Sequence, residues 1–354
     1  MRLKLNLASS IITITFIFAA CSNAQNAAAA APIRDTTALM LLDKYAETQD
    51  KLVSFKVRYE ETCDREYLNT YGDNARYSGK YKTYISSECT YDKNRFKLRE
   101  HSWGNINSTP DVFVPKEKAG YLNVMYDGNL WLQYFADAKN IINKHSSYIS
   151  PHPRLINLRY IQTRPIGLLM GYMEGDFEER IDSILRNASS LKLREKPELI
   201  NGALCYVIEG ITRKGKYTVW LDPEHGYHIA QAMMQRGTGD IYYYDQPALT
   251  AKTRVESSIR DIRFEKINGI WVPMELTAKY SQIFFTGSLK YTIHHKNTEL
   301  ILNPDLTNAF VPDPIPDGTN LAVTESTRKV PKGSYIWKNG KPCDKQGNPL
   351  DFSE

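Results

Sequence analysis

Seven histidines and five cysteines are the residues through which this 354-residue chain could hold a metal or do nucleophilic or redox chemistry. His294 and His295 are adjacent in the strand-like stretch GSLKYTIHHKN, residues 287–297. Neighbouring strand residues point to opposite faces, so the two cannot simply share one ion and read as strand packing. His225 and His228 flank the turn Pro223-Glu224-His225-Gly226 and read as turn residues. Glu174, Asp176, Glu178 and Glu179 resemble the acidic start of a helix, where carboxylates meet the positive end of the dipole, with a Ca²⁺ site as the alternative. In Tyr242-Tyr243-Tyr244, alternation turns Tyr243 away from its neighbours, which favours edge packing over an aromatic platform. The sequence holds no GxSxG, HExxH, P-loop or GxGxxG pattern. The expectation is a protein that is not an enzyme and carries no metal and no cofactor.

The cysteines point to export and redox state. Cys63 ends the run VSFKVRYEETC and Cys89 nearly ends KYKTYISSEC, with the turn-rich NTYGDNARYSG between them. Cys63 shares a face with Val53, Phe55, Val57 and Tyr59, and Cys89 with Tyr81, Thr83 and Ile85. A hairpin of these runs predicts a Cys63–Cys89 disulfide in an oxidising compartment. Cys205 and Cys343 either pair or stay as thiols. No two of these cysteines have CxxC spacing, which argues against a zinc site.

Cys21 is a separate matter. Arg2 and Lys4 precede an apolar run, residues 7–20, too short and too polar for a membrane span, so residues 1–20 read as a secretory signal. Phe18-Ala19-Ala20-Cys21 resembles a bacterial lipobox, in which the cysteine is diacylated and becomes the first residue. The low-complexity tether after it, residues 21–34, suits a domain held off a membrane. Ser22 after the cysteine favours the outer membrane, facing the periplasm. Ordinary cleavage near Gln25, giving a soluble periplasmic chain, is the alternative.

The net charge is +5, or +3 once Arg2 and Lys4 are set aside. Both signs are interspersed, so there is no nucleic-acid footprint. The 23 tyrosines favour half-buried pleated surfaces and lean toward β structure. Residues 36–50 carry Leu41, Leu42, Tyr45 and Ala46 at helical spacing behind Asp35 and Thr36. Alternating segments then dominate. In IWVPMELTAKY, Ile270, Val272, Met274, Leu276, Ala278 and Tyr280 share one face, while Trp271, Glu275, Thr277 and Lys279 share the other. Such alternation belongs to an antiparallel sheet with one covered face. Asp127-Gly128, Asn268-Gly269 and Asn339-Gly340 mark hairpins. About ten such strands are too many for a small flat sheet, so the expectation is a mainly β, α+β fold. Its sheet is strongly curved, a half-open antiparallel barrel with a few helices in its mouth. The domain spans residues 35–302, and a proline-rich tail with a small hairpin occupies 303–354.

Three short motifs give a resemblance. Tyr126-Asp127-Gly128 with Trp131, WLDPEHGY over residues 220–227 and NGIWVP over 268–273 come after a helix opening on LLDKY. Together they resemble the LolA/LolB-like lipoprotein-carrier superfamily, in its uncharacterised envelope-lipoprotein branch. That resemblance implies a half-open barrel whose apolar cavity takes lipid or lipoprotein acyl chains. Phe55, Val57, Val272, Met274 and Leu276 are the candidate lining. The apolar, Gly- and Met-containing stretch of residues 166–173 is the candidate lid, through Ile166, Leu168, Leu169, Met170 and Met173. A plain core plug is the competing reading of that stretch. The function expected is lipid or acyl-chain binding by an anchored envelope lipoprotein. Its alternative is a structural lipoprotein with a packed barrel that binds a protein partner.

Overall fold

The computed structural model describes residues 33–69, 78–93, 95–105, 112–136, 146–150, 165–173, 179–243, 246–247, 253–324, 326–327 and 329–352. Side chains of residues 33–34, 146–150 and beyond 241 in the stretch to 247 are outside that description. Cys21, the signal and the tether up to residue 32 also lie outside it. Two α-helices position the candidate site, α1 (Thr36–Gln49) and α2 (Ile181–Arg186). The first strands are β1 (Ile33–Arg34), β2 (Ser54–Asn69), β3 (Gly79–Asp92), β4 (Arg95–Gly104), β5 (Gly120–Tyr126), β6 (Trp131–Ala136) and β7 (Ser146–Ser150). The middle strands are β8 (Ser190–Leu193), β9 (Glu198–Ile200), β10 (Ala203–Thr212), β11 (Gly215–Asp222), β12 (His228–Arg236), β13 (Ile241–Tyr243) and β14 (Gln246–Pro247). The last are β15 (Arg254–Ile267), β16 (Ile270–Phe284), β17 (Gly287–Leu302), β18 (Asn320–Val323), β19 (Gly333–Lys338) and β20 (Lys341–Cys343).

Among the described residues, eighteen strands make one sheet that does not close. Its order runs β1, β8, β10, β11, β12, β15, β16, β17, β2, β3, β4, β5, β6, β7, β18, β19, β20, with β9 beside β8 on β10. All pairs are antiparallel except β1–β8 and β7–β18. Alternation explains the covered face: Val272, Met274, Leu276, Ala278 and Tyr280 of β16 are all buried. β15 carries a bulge between Arg260 and Arg263, with Asp261 at φ +53°, which adds twist where the sheet must curl. Asn268 and Gly269 take φ +50° and +82°, as a two-residue hairpin turn of the primed kind requires. Asn339 and Gly340 do the same between β19 and β20.

Two apolar clusters occupy the covered face. The first joins α1 and α2 to β8, β10, β11, β12, β15 and β16. The second joins β2 to β6 with β16, β17 and residues 166–170. The tail lies on the other face of β6, where Leu132 and Tyr134 pack with Ile315, Leu321 and Trp337.

The expected Cys63–Cys89 disulfide is not formed. The hairpin pairs Cys63 with Thr83 and Cys89 with Val57. Cys89 is thus six positions from the residue facing Cys63, roughly 20 Å along a strand, whereas a bridge needs Cα atoms within about 7 Å. Both cysteines lie on the covered face, as their phase required. Register, which phase does not fix, separates them.

Candidate functional site

The mouth of the half-barrel is organised by α1. Asp35 caps the helix: its Oδ1 accepts from the Thr37 and Ala38 N–H groups at 2.8 and 3.2 Å. Its Oδ2 accepts from Leu193 N–H at 3.1 Å, which ties the helix start to β8. Leu41, Leu42 and Tyr45 face the first cluster at the spacing the sequence predicted; Ala38 joins them, and the fourth expected position, Ala46, is half-buried.

Residues 165–170 form a short 3-10 helix. Ile166, Leu169 and Met170 pack in the second cluster, Leu168 and Met173 in the first. One short segment therefore bridges both cores, and all five candidate lid residues are buried. Gly171 ends it at φ +81°, and a Cβ there would meet the Tyr45 hydroxyl at 3.2 Å. Two bonds at the start of α2 tie the segment to α1. Ile181 N–H donates to the Gly171 carbonyl at 3.0 Å, and Arg180 Nη1 donates to Asp50 Oδ1 at 2.6 Å.

The candidate lining residues all lie on the covered face. Phe55, Val57, Val272 and Met274 belong to the second cluster and Leu276 to the first. Where the clusters meet there is a polar group that the sequence reading missed. His295 Nδ1 lies 3.0 Å from Glu61 Oε1, and its Nε2 lies 3.0 Å from Asn297 Oδ1. The His295 and Glu61 side chains are 2% and 3% exposed. Asn297 Nδ2 donates to the Pro273 carbonyl at 2.9 Å, so its Oδ1 accepts from the imidazole Nε2–H. The His295 Nδ1–Glu61 contact thus joins β17 to β2 on the covered face, where the two residues stand opposite each other. The usable signal was Glu61 itself, a charge continuing the apolar phase of Phe55, Val57 and Tyr59. His294 points the other way and is exposed, as alternation requires.

The turn histidines clamp the end of α1. Asp222 Oδ1 accepts from the Glu224 and His225 N–H groups, and its Oδ2 lies 2.6 Å from His225 Nδ1. The His225 ring stacks on Phe264 and meets the edge of Trp271, with centroids 4.8 and 4.6 Å apart. His228 is buried; its Nε2 donates to the Trp271 carbonyl at 2.6 Å and its Nδ1 accepts from Gln49. Thr48 Oγ1 donates to the Gly226 carbonyl at 2.5 Å, so turn and helix are bonded directly. Beneath this turn, burial pushes the Cys205 thiol up to about 12, which makes it a poor nucleophile.

Among the described residues no group of three or more His, Cys, Asp or Glu side chains could hold a metal ion. Glu179 pairs with Lys214 at 3.5 Å. Glu174, Asp176, Glu178 and Tyr244 lie outside the described residues, as do the side chains of Tyr242 and Tyr243.

No protein-family profile matches the chain, and no curated protein matches it. Solved structures resemble it at low identity. A DUF1329 family protein from Desulfovibrio piger is 12% identical over 77% of this chain and 95% of its own, with a TM-score of 0.36. Lipovitellin is 7% identical over 72% of this chain and 26% of its own, with a TM-score of 0.32. The MucA/MucB complex of Pseudomonas aeruginosa gives 12% identity over 76% of this chain and 100% of the matched chain, with a TM-score of 0.23. Among the described residues no helix is long and apolar enough to cross a membrane.

Proposed function

We propose that this chain is a non-enzymatic envelope protein with a packed half-barrel, and that it works by binding a protein partner. The leader pattern supports export, and Cys21 supports an acyl anchor in the outer membrane facing the periplasm. The observation that carries the packed reading is the burial of Ile166, Leu168, Leu169, Met170 and Met173 across both apolar clusters. Their burial there supports a barrel filled by the chain's own side chains.

Carriage of an acyl chain is the second reading, and the form of the plug favours it. A 3-10 helix is a poorly bonded form, and this one includes Gly167 and is followed by Gly171. Swinging it out would bare Phe55, Val57, Val272 and Met274 to a ligand.

Native mass spectrometry separates the two. The chain carrying Cys21→Ser is exported to a bacterial periplasm, purified without detergent and incubated with phospholipid. The packed reading expects a bare chain mass before and after. A stoichiometric acyl-containing adduct would overturn it in favour of carriage.

A further inference from the structure

Asp313 lies in the segment joining β17 to β18, and four side chains of the sheet converge on its carboxylate. Arg99 meets it with two bonds, Nε to Oδ2 at 2.7 Å and Nη2 to Oδ1 at 2.6 Å. Lys97 Nζ reaches Oδ1 at 2.6 Å, Tyr121 Oη donates to Oδ2 at 2.6 Å and Asn123 Nδ2 donates to Oδ2 at 2.7 Å. Lys97 and Arg99 are two apart on β4, Tyr121 and Asn123 two apart on β5, and Arg99 faces Asn123 across the pair. Strand geometry alone therefore puts all four donors on one face. Burial alone would raise the Asp313 carboxyl, but the bonds from Arg99, Lys97 and Tyr121 hold it well below the carboxylate range.

The receptor is built by the sheet, and its occupant is not. Residues 311–316 belong to no strand or helix. Pro312, Pro314 and Pro316 remove three backbone donors, so this stretch cannot add to the sheet by a regular ladder. Its main-chain hold includes the Val311 carbonyl, which accepts from Lys97 Nζ at 2.6 Å. Beside it a half-open cavity of about 390 Å³ lies between residues 304–309 and the side chains of Lys56, Glu88, Thr90, Lys97 and Arg99. Arg99 Nη1 also binds Glu88 Oε1 at 3.1 Å, so the guanidinium keeps a counter-ion when Asp313 leaves.

We propose that this face of β4 and β5 is a carboxylate-binding site for an acidic, proline-containing extended peptide of a partner protein, with residues 310–316 occupying it as a tethered competitor. The bidentate arginine selects a carboxylate, and the row of polar donors suits a segment that brings few backbone donors of its own. The proposal rests on the protein-partner reading of the packed half-barrel.

The test uses the full chain with Asp313→Ala, which removes the competing carboxylate and leaves the receptor's donors in place. The probes are a labelled peptide of sequence FVPDPIP and the same peptide with asparagine for aspartate, followed by fluorescence anisotropy. The folded variant is expected to bind the aspartate peptide about tenfold or more tightly than the asparagine peptide. Wild type should bind it more weakly than the variant, because the tether supplies a high local concentration of competitor. Adding Arg99→Ala should remove the discrimination. Equal binding of the two peptides, or equal binding by wild type and variant, overturns the site. Should the variant unfold, the Asn123 side-chain amide resonance of wild type is followed at millimolar peptide. A shift with the aspartate peptide alone supports the site, and no difference between peptides overturns it. An acyl adduct in native mass spectrometry defeats the parent reading. Loss of peptide discrimination without that adduct defeats only this proposal.

Discussion

The imidazole of His228 donates from Nε2 to the Trp271 carbonyl oxygen at 2.6 Å. Its Nδ1 accepts from Gln49 Nε2 at 3.3 Å, so the ring is held neutral between β16 and the end of α1. Burial pushes its pKa down from 6.5 to about 4. The unfolded chain therefore binds this proton more readily than the folded one between those values. Stability is full above the unfolded value and falls as pH drops toward about 4, by roughly 3 kcal/mol from this group. Urea midpoints at pH 7 and pH 4.5 measure the loss. His228→Gln should flatten that part of the profile, and a variant as acid-sensitive as wild type would count against the assignment.

Leu169 is buried in the second cluster beside Ile166 and Met170. As part of a plug it should behave as core. Leu169→Ala is expected to cost roughly 2–5 kcal/mol in equilibrium unfolding. A lid would instead open locally, leaving the global midpoint almost unchanged. Denaturant unfolding of this variant, with wild type as reference, decides between the two.

Local chemistry was legible in the sequence, and long-range register was not. Alternation in β16 marked Val272, Met274 and Leu276 as inward, and the covered face agrees. Asn268-Gly269 announced a turn that the positive φ values confirm. The spacing of Leu41, Leu42 and Tyr45 marked the buried stripe of α1. Cys63 and Cys89 show the limit, because phase gave the correct face while the pairing offset was invisible. The Glu61–His295 contact spans 234 positions and the Arg99–Asp313 contact 214. Each depends on which strands become neighbours, and no local pattern carries that information. The tail strands β18 to β20 were half legible: their hairpin turn could be read, but not the parallel seat of β18 on β7.

With no Cys63–Cys89 bridge, reductant should leave the melting temperature unchanged. Cys63, Cys89, Cys205 and Cys343 are all buried. Alkylation of the native chain should therefore be slow at all four, slowest at Cys205 with its thiol pushed up to about 12. In denaturant all four should label at once without prior reduction. Mass spectrometry of non-reduced digests gives the answer directly, and a linked Cys63–Cys89 peptide would refute the hairpin register itself.

The Lys97–Asp313 pair makes a graded prediction about stability. Their side chains are 9% and 14% exposed, against 43% for Arg99. Removing Asp313 leaves Lys97 a buried cation held by the neutral Val311 carbonyl in place of a carboxylate. Asp313→Ala should therefore cost roughly 3–5 kcal/mol, the usual penalty for orphaning a buried charge. Arg99→Ala should cost less, about 1 kcal/mol, because Arg99 is more exposed and Asp313 keeps Lys97, Tyr121 and Asn123. Lys97→Met placed on top of Asp313→Ala should recover much of the loss, since an apolar side chain of similar length removes the stranded charge. A double-mutant cycle by urea unfolding measures all three terms. If the two substitutions simply add, the contact is not an energetic latch and the tail is held by the β7–β18 ladder and the packing of Ile315, Leu321 and Trp337.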